Sequence, residues 1–258
     1  MTKENRTIKR TLDTLQLLKD RQDPLTITQI SSSLGIPRSS AFDIVSTLYE
    51  EGYIELGDNA QKTYVLGLKT FEIGAAYLQN NDLLPTTRPY LEKLMRMSQA
   101  TAFLAIEDNG QLVYLDKVEA PTAIRTSAQL GSRNSMYCAG LGKALLATYP
   151  DQRVKEIFEK TEIIRLTDNT ITDYTALSDD LSRIRSRGYA IDDREASPEV
   201  FCIAAPVFDS FGKGVAAISL AILYSNLNEK LIKKYSASIT DSALQISKKL
   251  GYIRQRLY

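Results

Sequence analysis

Residues 25–55 read LTITQISSSLGIPRSSAFDIVSTLYEEGYIE, and this stretch decides the N-terminal fold. Ile30 and Leu34 recur at helical spacing over 28–34, with Thr26 or Thr28 placed to cap the start and Gly35 to end it. Pro37 then opens a further helix running to about residue 51, because proline is favoured in a first turn, where its missing N–H is not needed. In that helix Ala41, Ile44, Val45 and Leu48 form one apolar stripe. The other face presents Arg38, Ser39, Ser40, Phe42, Asp43, Ser46 and Thr47. An ordinary amphipathic surface helix would look much like this. A helix that enters a major groove would too, since short hydroxyl side chains reach phosphates and base edges while the backbone approaches closely.

The flanks favour the second reading. Upstream, Ile8, Thr11, Leu12, Leu15 and Leu18 mark one face of a helix from about residue 7, closed by Asp23-Pro24. Downstream, 52–56 and 63–67 read as strands around the polar turn 57–62, which places Lys62 on a wing. Helix, helix, turn, helix and hairpin is the winged helix-turn-helix order, with the wing beside the nucleic-acid backbone.

Charge limits how such a module could bind. The 258-residue chain has 32 Lys+Arg against 31 Asp+Glu, and residues 1–67 hold eight basic and nine acidic side chains, a net of −1. Bulk charge therefore does not drive binding; a few placed bases must, among them Arg38, Lys62 and the four in the first ten residues. One copy should bind DNA weakly, so dimers or larger oligomers are expected. The next helix, from residue 68 to about 77, carries Leu68, Phe71, Ala75 and Leu78 on one face. Either its own chain or a second copy must cover that face, and a dimer contact is the preferred reading. Asn80-Asn81-Asp82 breaks the pattern.

Beyond residue 82 the element types alternate. Helices are expected at 85–98, 139–149, 151–160, 175–187 and 227–251, and strands at 102–107, 111–119, 189–192, 200–208 and 215–223. Asn109-Gly110 marks a hairpin turn. Hairpins mixed with helices point to an antiparallel α+β arrangement rather than a parallel doubly wound sheet.

Three features here could carry chemistry. Ala139-Gly140-Leu141-Gly142-Lys143 looks like a phosphate loop but fails as one: a Walker motif needs Gly at Tyr137 and Ser or Thr at Ala144, and a dinucleotide fingerprint needs Gly at Leu145. What remains is a helix start whose free N–H groups suit a small anion, or glycines that allow close packing on a strand. Asp192, Asp193 and Glu195 crowd a strand end, either as acid–base groups or as surface turn acids. Cys202 lies in an apolar strand without a histidine partner.

The chain in fact contains no histidine, which excludes Ser-His-Asp and Cys-His nucleophile pairs, His-based zinc proteases and His-containing zinc fingers. Cys138 and Cys202 lack metal-ligand spacing; a disulfide between them is the alternative to the preferred reading, buried hydrophobes with free thiols in a reducing compartment. The polar first ten residues have no signal-peptide core, and no apolar run would span a bilayer, so a cytoplasmic protein without membrane attachment is expected. No cofactor and no metal are expected.

Taken in order, LTITQISSSLGIPRSSAFDIVSTLYEEGYIE, YVLGLK, AGLGKALLA, RGYAIDDRE and FCIAAPVFDSFGKGVAAISL resemble the isocitrate-lyase-regulator (IclR) family of bacterial transcription factors, over about residues 7–249. The resemblance implies a winged helix-turn-helix domain (1–67), a linker helix (68–80) and a GAF-like effector domain (81–258), assembled as a dimer or dimer of dimers. It also implies a pocket for a small organic or sugar acid at Gly140 and Leu141, Asp192, Cys202 and Ser219. Three positions depart from the family pattern. Ser135-Met136-Tyr137 stands for a usual Pro-Leu-His, Ala221 for a serine, and Asp43 for a frequent arginine in the recognition helix.

The expected function is a ligand-responsive transcriptional regulator, preferably a repressor of a catabolic operon, whose partners are double-stranded operator DNA, the acid and itself. It is not expected to be an enzyme. A catalyst built on the acidic cluster and Cys202, or a ligand-free DNA-organising protein, are the alternatives.

Overall fold

A computed structural model of the chain describes residues 4–21, 23–58, 60–79, 82–120 and 128–258, with backbone alone for 77–79. The chain divides into two compact units, 1–81 and 82–258. The expected break at Asn80-Asn81 and the wing-turn residue Asn59 lie outside the described residues, as does the side chain of Leu78.

In the first unit, helix α1 (Arg6–Asp20) is capped by Asn5, whose side chain accepts from the amides of Thr7 and Ile8. Its buried residues are Thr14 and Leu18, while Ile8 and Leu12 are exposed, so the expected apolar face turns inward only at its C-terminal end. Strand β1 (Leu25–Thr26) leads into α2 (Ile27–Leu34). Thr26, one of the two expected caps, is the one used: it forms a reciprocal capping box with Gln29. Gly35, at φ +62°, ends α2 in the left-handed region that glycine enters without strain.

Helix α3 (Arg38–Glu50) buries Ala41, Ile44, Val45 and Leu48, the stripe read from the sequence. Together with Leu18, Leu25, Ile30, Ile36 and Ile54 they form one core, each large aliphatic contributing roughly 1.5–3 kcal/mol. Strands β2 (Ile54–Asp58) and β3 (Thr63–Leu66) make the expected hairpin. Strand β1, which pairs with β3 at Leu25↔Tyr64, has no local signature. Two residues are too few to show an alternating pattern.

Helix α4 (Leu68–Gln79) starts hard against the hairpin. A Cβ on Gly67 would stand 2.6 Å from the Gly52 carbonyl, so only glycine fits, and the Thr70 hydroxyl donates to the Tyr53 carbonyl at 2.8 Å. Leu68, Phe71 and Ile73 are exposed in the single chain.

The second unit is a six-stranded antiparallel sheet between two helical layers. Its strands are β4 (Thr101–Asp108), β5 (Gln111–Val118), β6 (Arg133–Ser135), β7 (Ala190–Asp193), β8 (Val200–Phe208) and β9 (Gly214–Leu223), in the order β6-β5-β4-β9-β8-β7. Helices α5 (Leu83–Ser98) and α9 (Glu229–Lys249) pack on one face over Leu104, Ile203, Ile218 and Leu220. Helices α6 (Gly140–Leu146), α7 (Asp151–Lys160) and α8 (Tyr174–Arg187) pack on the other, over Phe103, Ala204 and Ala217. Neighbouring positions such as Phe103 and Leu104 thus serve opposite faces, as the two-residue period of a strand requires.

The α+β class read from the sequence holds. Short β6 was not anticipated, and α6 is shorter than the helix expected over 139–149. Both cysteines are free thiols, and among the described residues no helix is long and apolar enough to cross a membrane.

Candidate functional site

On α3, Arg38, Ser39, Phe42, Asp43 and Thr47 are exposed, and Ser40 and Ser46 are half-buried. Pro37 occupies the N-cap without a side-chain cap bond, and the first helical bond runs from the Ala41 amide to the Pro37 carbonyl. The amides of Arg38, Ser39 and Ser40 precede that ladder and are positioned for an anion such as phosphate. Thr47 is less available than its position implied, because its hydroxyl donates to the Asp43 carbonyl at 2.9 Å. Lys62 is exposed on the wing at φ +50°, a conformation that strains a non-glycine residue.

In the second unit, Gly140, Leu141, Asp192, Cys202 and Ser219 all line one cavity of about 310 Å³. Sheet register accounts for the grouping. Asp192 stands opposite Cys202 in the β7–β8 ladder, and Cys202 stands opposite Ala221 in β8–β9. Two residues along, Ser219 lies opposite both Ala204 and Phe103. These residues share the sheet face that carries α6, whose start closes down on them. A Cβ built on Gly140 would lie 3.3 Å from Cys202 Cβ and 3.6 Å from Asp192 Cβ. The glycine therefore serves close packing and an opening onto the cavity at once. Lys143 makes the first α6 bond, to the Ala139 carbonyl, so the Gly140 and Leu141 amides precede the ladder.

Asp192 is buried and accepts from the Glu195 amide at 2.7 Å. Burial pushes its carboxyl up to about 6, against the pull of the 195 and 196 amides and Lys143. Cys202 is half-buried, and desolvation, reinforced by Asp192, raises its thiol well above the usual range. Such a thiol stays protonated and is a poor nucleophile.

Lys143 does not line this cavity. It is buried, donating to Asp180 at 2.8 Å and to Glu195. Burial lifts Glu195 to about 7 despite Lys143, with Asp192 and Asp180 adding to the rise. Gly142 is required for packing, since a Cβ there would collide with the Met136 backbone.

Sequence reading missed several cavity residues. Phe103 and Tyr114 meet edge-on with ring centroids 5.5 Å apart, Asn134 Nδ2 donates to the Tyr114 hydroxyl at 3.4 Å, and Ser197 and Glu199 come from the β7–β8 loop. Only strand pairing brings β4, β5 and β6 to this place, and no local motif announces it. Tyr137 does not line the cavity; its hydroxyl bridges the Ile164 amide and carbonyl at 2.9 and 2.7 Å. Ala221 does line it, where the family resemblance implied a serine. Among the described residues no group of acids and thiols is disposed to hold a metal ion.

Comparison with known proteins gives these sites a setting. Residues 7–57 match the model for the IclR helix-turn-helix domain, and residues 75–248 match that for the bacterial transcriptional regulator IclR C-terminal domain. The HTH-type transcriptional regulator KdgR of Escherichia coli (strain K12) is 33% identical over 238 residues, covering 92% of this chain and 90% of KdgR. The HTH-type transcriptional repressor AllR of the same organism is 31% identical over 244 residues, covering 95% and 90%. A crystal structure of an IclR homolog from Microbacterium hydrocarbonoxydans, complexed with 4-hydroxybenzoate, superposes with a TM-score of 0.80 at 22% identity, over 95% of this chain and 97% of that one. On both of its units, this chain belongs to the IclR family of DNA-binding bacterial transcriptional regulators.

Proposed function

We propose that the chain is a repressor released or retained on its operator by a small organic acid held in the cavity between α6 and the sheet. Residues 1–67 read the DNA, 68–80 link, and 81–258 sense the acid. The observation that carries this reading is the convergence of Gly140, Leu141, Asp192, Cys202 and Ser219 on one cavity of about 310 Å³. That volume is at the small end of ligand pockets and suits a compact acid. The Gly140 and Leu141 amides receive the carboxylate, while Asp192 and Ser219 meet a neighbouring hydroxyl or hydrated carbonyl. Support also comes from the relative named a repressor and from the neighbour of like fold that carries 4-hydroxybenzoate. On α3, Arg38, Ser39, Ser40, Phe42, Asp43 and Ser46 face the groove, with Lys62 beside the backbone.

Self-association completes the assembly: Leu68 and Phe71, exposed on one face of α4, are covered by a second copy. A module of net charge −1 then gains affinity from two half-sites rather than from bulk charge. A catalytic reading at Cys202 is disfavoured, because burial and the adjacent Asp192 hold its thiol protonated.

The test is reciprocal linkage. A thermal-shift panel of small carboxylates and sugar acids identifies a stabilising ligand for the full-length protein. Fluorescence anisotropy then measures affinity for the DNA upstream of its own gene with and without that ligand. A ligand that stabilises the protein must shift operator affinity, and operator DNA must shift ligand affinity by the same factor. Unchanged operator affinity sinks the regulatory reading.

A further inference from the structure

Five buried side-chain polar atoms have no hydrogen-bond partner among the described residues: Thr87 Oγ1, Arg187 Nη2, Glu195 Oε2, Ser236 Oγ and Thr240 Oγ1. Arg187, Ser236 and Thr240 line a single cleft of about 450 Å³ between the end of α8, the start of β7 and α9. This cleft shares no lining residue with the cavity under α6. Buried polar groups are ordinarily satisfied, so three orphans converging on one opening mark a place built to receive acceptors.

The geometry of Arg187 fixes what it offers. Its Nε donates to the Tyr189 carbonyl at 2.7 Å, and its guanidinium lies over the Tyr189 ring, 5.1 Å from the centroid. Held on that side, it has Nη2 buried without a partner on a side chain that lines the cleft, and it makes no salt bridge among the described residues. Ser236 and Thr240 stand one turn apart on α9, so their hydroxyls share a helix face. Ser236 is 4% exposed. At the cleft, Glu229 and Lys233, also one turn apart and both exposed, offset each other, while Asp180 and Glu195 are the acids whose charge reaches the guanidinium. Burial lowers the Arg187 pKa, a sign of a poorly hydrated cation that an anion would relieve. Ile232, Ala237 and the Tyr189 ring supply apolar walls beside these donors.

We propose that this cleft is a second anion site, in which Arg187 Nη2 and the Ser236 and Thr240 hydroxyls donate to the carboxylate or phosphate head of a small organic anion. Its body lies on Ile232 and Ala237. Because α9 packs on the sheet face opposite α6, an occupant here is a second chemical input, independent of the acid under α6.

The experiment is isothermal titration calorimetry of the full-length protein with propyl phosphate and with butyrate, which share a short apolar body and differ in the head. Binding of at least one probe is expected, and the tighter of the two identifies the head group. R187Q should weaken that binding about tenfold or more, the usual consequence of losing a charged donor. T240V keeps shape and charge, so it tests the hydroxyl even if R187Q melts early, and should also weaken binding. S219A should leave unchanged the component of the isotherm that R187Q weakens. No heat with either probe, wild-type affinity in T240V, or loss of that component in S219A instead overturns the proposal.

Discussion

The Asp192 carboxylate accepts from the Glu195 backbone amide at 2.7 Å, and the Glu195 carboxylate in turn holds the buried Lys143. One short turn therefore joins the wall of the acid cavity to the ion cluster under α6 and α8. Arg194, inside that turn, sits at φ +60°, a strained conformation for a residue with a side chain. Whatever alters the charge at Asp192 pulls on this turn, and the titration of its two acids gives the first prediction.

Asp192 titrates at about 6 against an ordinary 3.8, so between those values the folded chain binds more protons than the unfolded one. Stability must then fall as pH rises through that window. Glu195, raised to about 7, extends the fall upward, and the two acids titrate as a coupled pair. Denaturant melts across pH 4 to about 8 should show this decline, and D192N should flatten its acidic part. For an anionic ligand the same proton works in favour of binding: affinity should rise as pH drops through 6, and D192N should remove that dependence. A slope unchanged in D192N would place the titration elsewhere.

Lys143 is 1% exposed between Asp180 and Glu195. Removing one partner of a buried ionic cluster leaves the others uncompensated, at a cost of about 3–5 kcal/mol. K143M should lose stability on that scale at neutral pH and recover part of it in acid, where Glu195, raised to about 7, protonates. Urea melts at two pH values check this; a loss independent of pH would assign the role of Lys143 to packing instead.

Ser219 lies on β9, in a different compact unit from α3. S219A should weaken the acid response severalfold, as loss of one neutral hydrogen bond does, and leave ligand-free operator affinity at the wild-type value. Anisotropy titrations with and without acid measure both. Parallel loss of both would show a folding defect rather than a lost ligand contact.

Leu68 and Phe71 are exposed on one face of α4. If a second copy covers them, F71D should shift the full-length protein toward monomer in sedimentation velocity and weaken operator binding with it. An unchanged sedimentation coefficient would leave α4 outside the interface.

How far the sequence revealed these sites varies with the range of the signal. The stripe Ala41, Ile44, Val45 and Leu48 was legible because a helix repeats within a dozen residues, and every member is buried. Gly140, Asp192 and Cys202 each stood out locally, as a glycine-bearing helix start, a cluster of acids and a lone thiol. What brings them together is the register Asp192↔Cys202 and the close approach of Gly140, which are relations between distant segments. Tyr114 and Asn134 reach the cavity from β5 and short β6 and left no trace in local pattern. Ile8 and Leu12 show the reverse failure, a helical apolar spacing that the single chain does not bury. Periodicity reports that a face is apolar, not which molecule covers it.

Lys62 offers the sharpest test of the wing, because its backbone and side chain make opposite demands. At φ +50° a lysine carries conformational strain that glycine would relieve, so K62G should raise stability slightly, by up to about 1 kcal/mol. The side chain, if it meets a phosphate beside the groove, contributes one released counterion. K62G should therefore weaken operator binding while stabilising the fold, and it should lower the slope of log affinity against log salt by about one. R38A, on the recognition helix, should lower the slope similarly without the gain in stability. Anisotropy titrations over a range of salt, paired with thermal melts, separate the two effects. A K62G protein that is more stable and binds operator with an unchanged salt slope would remove the wing from the interface and leave α3 to position the module alone.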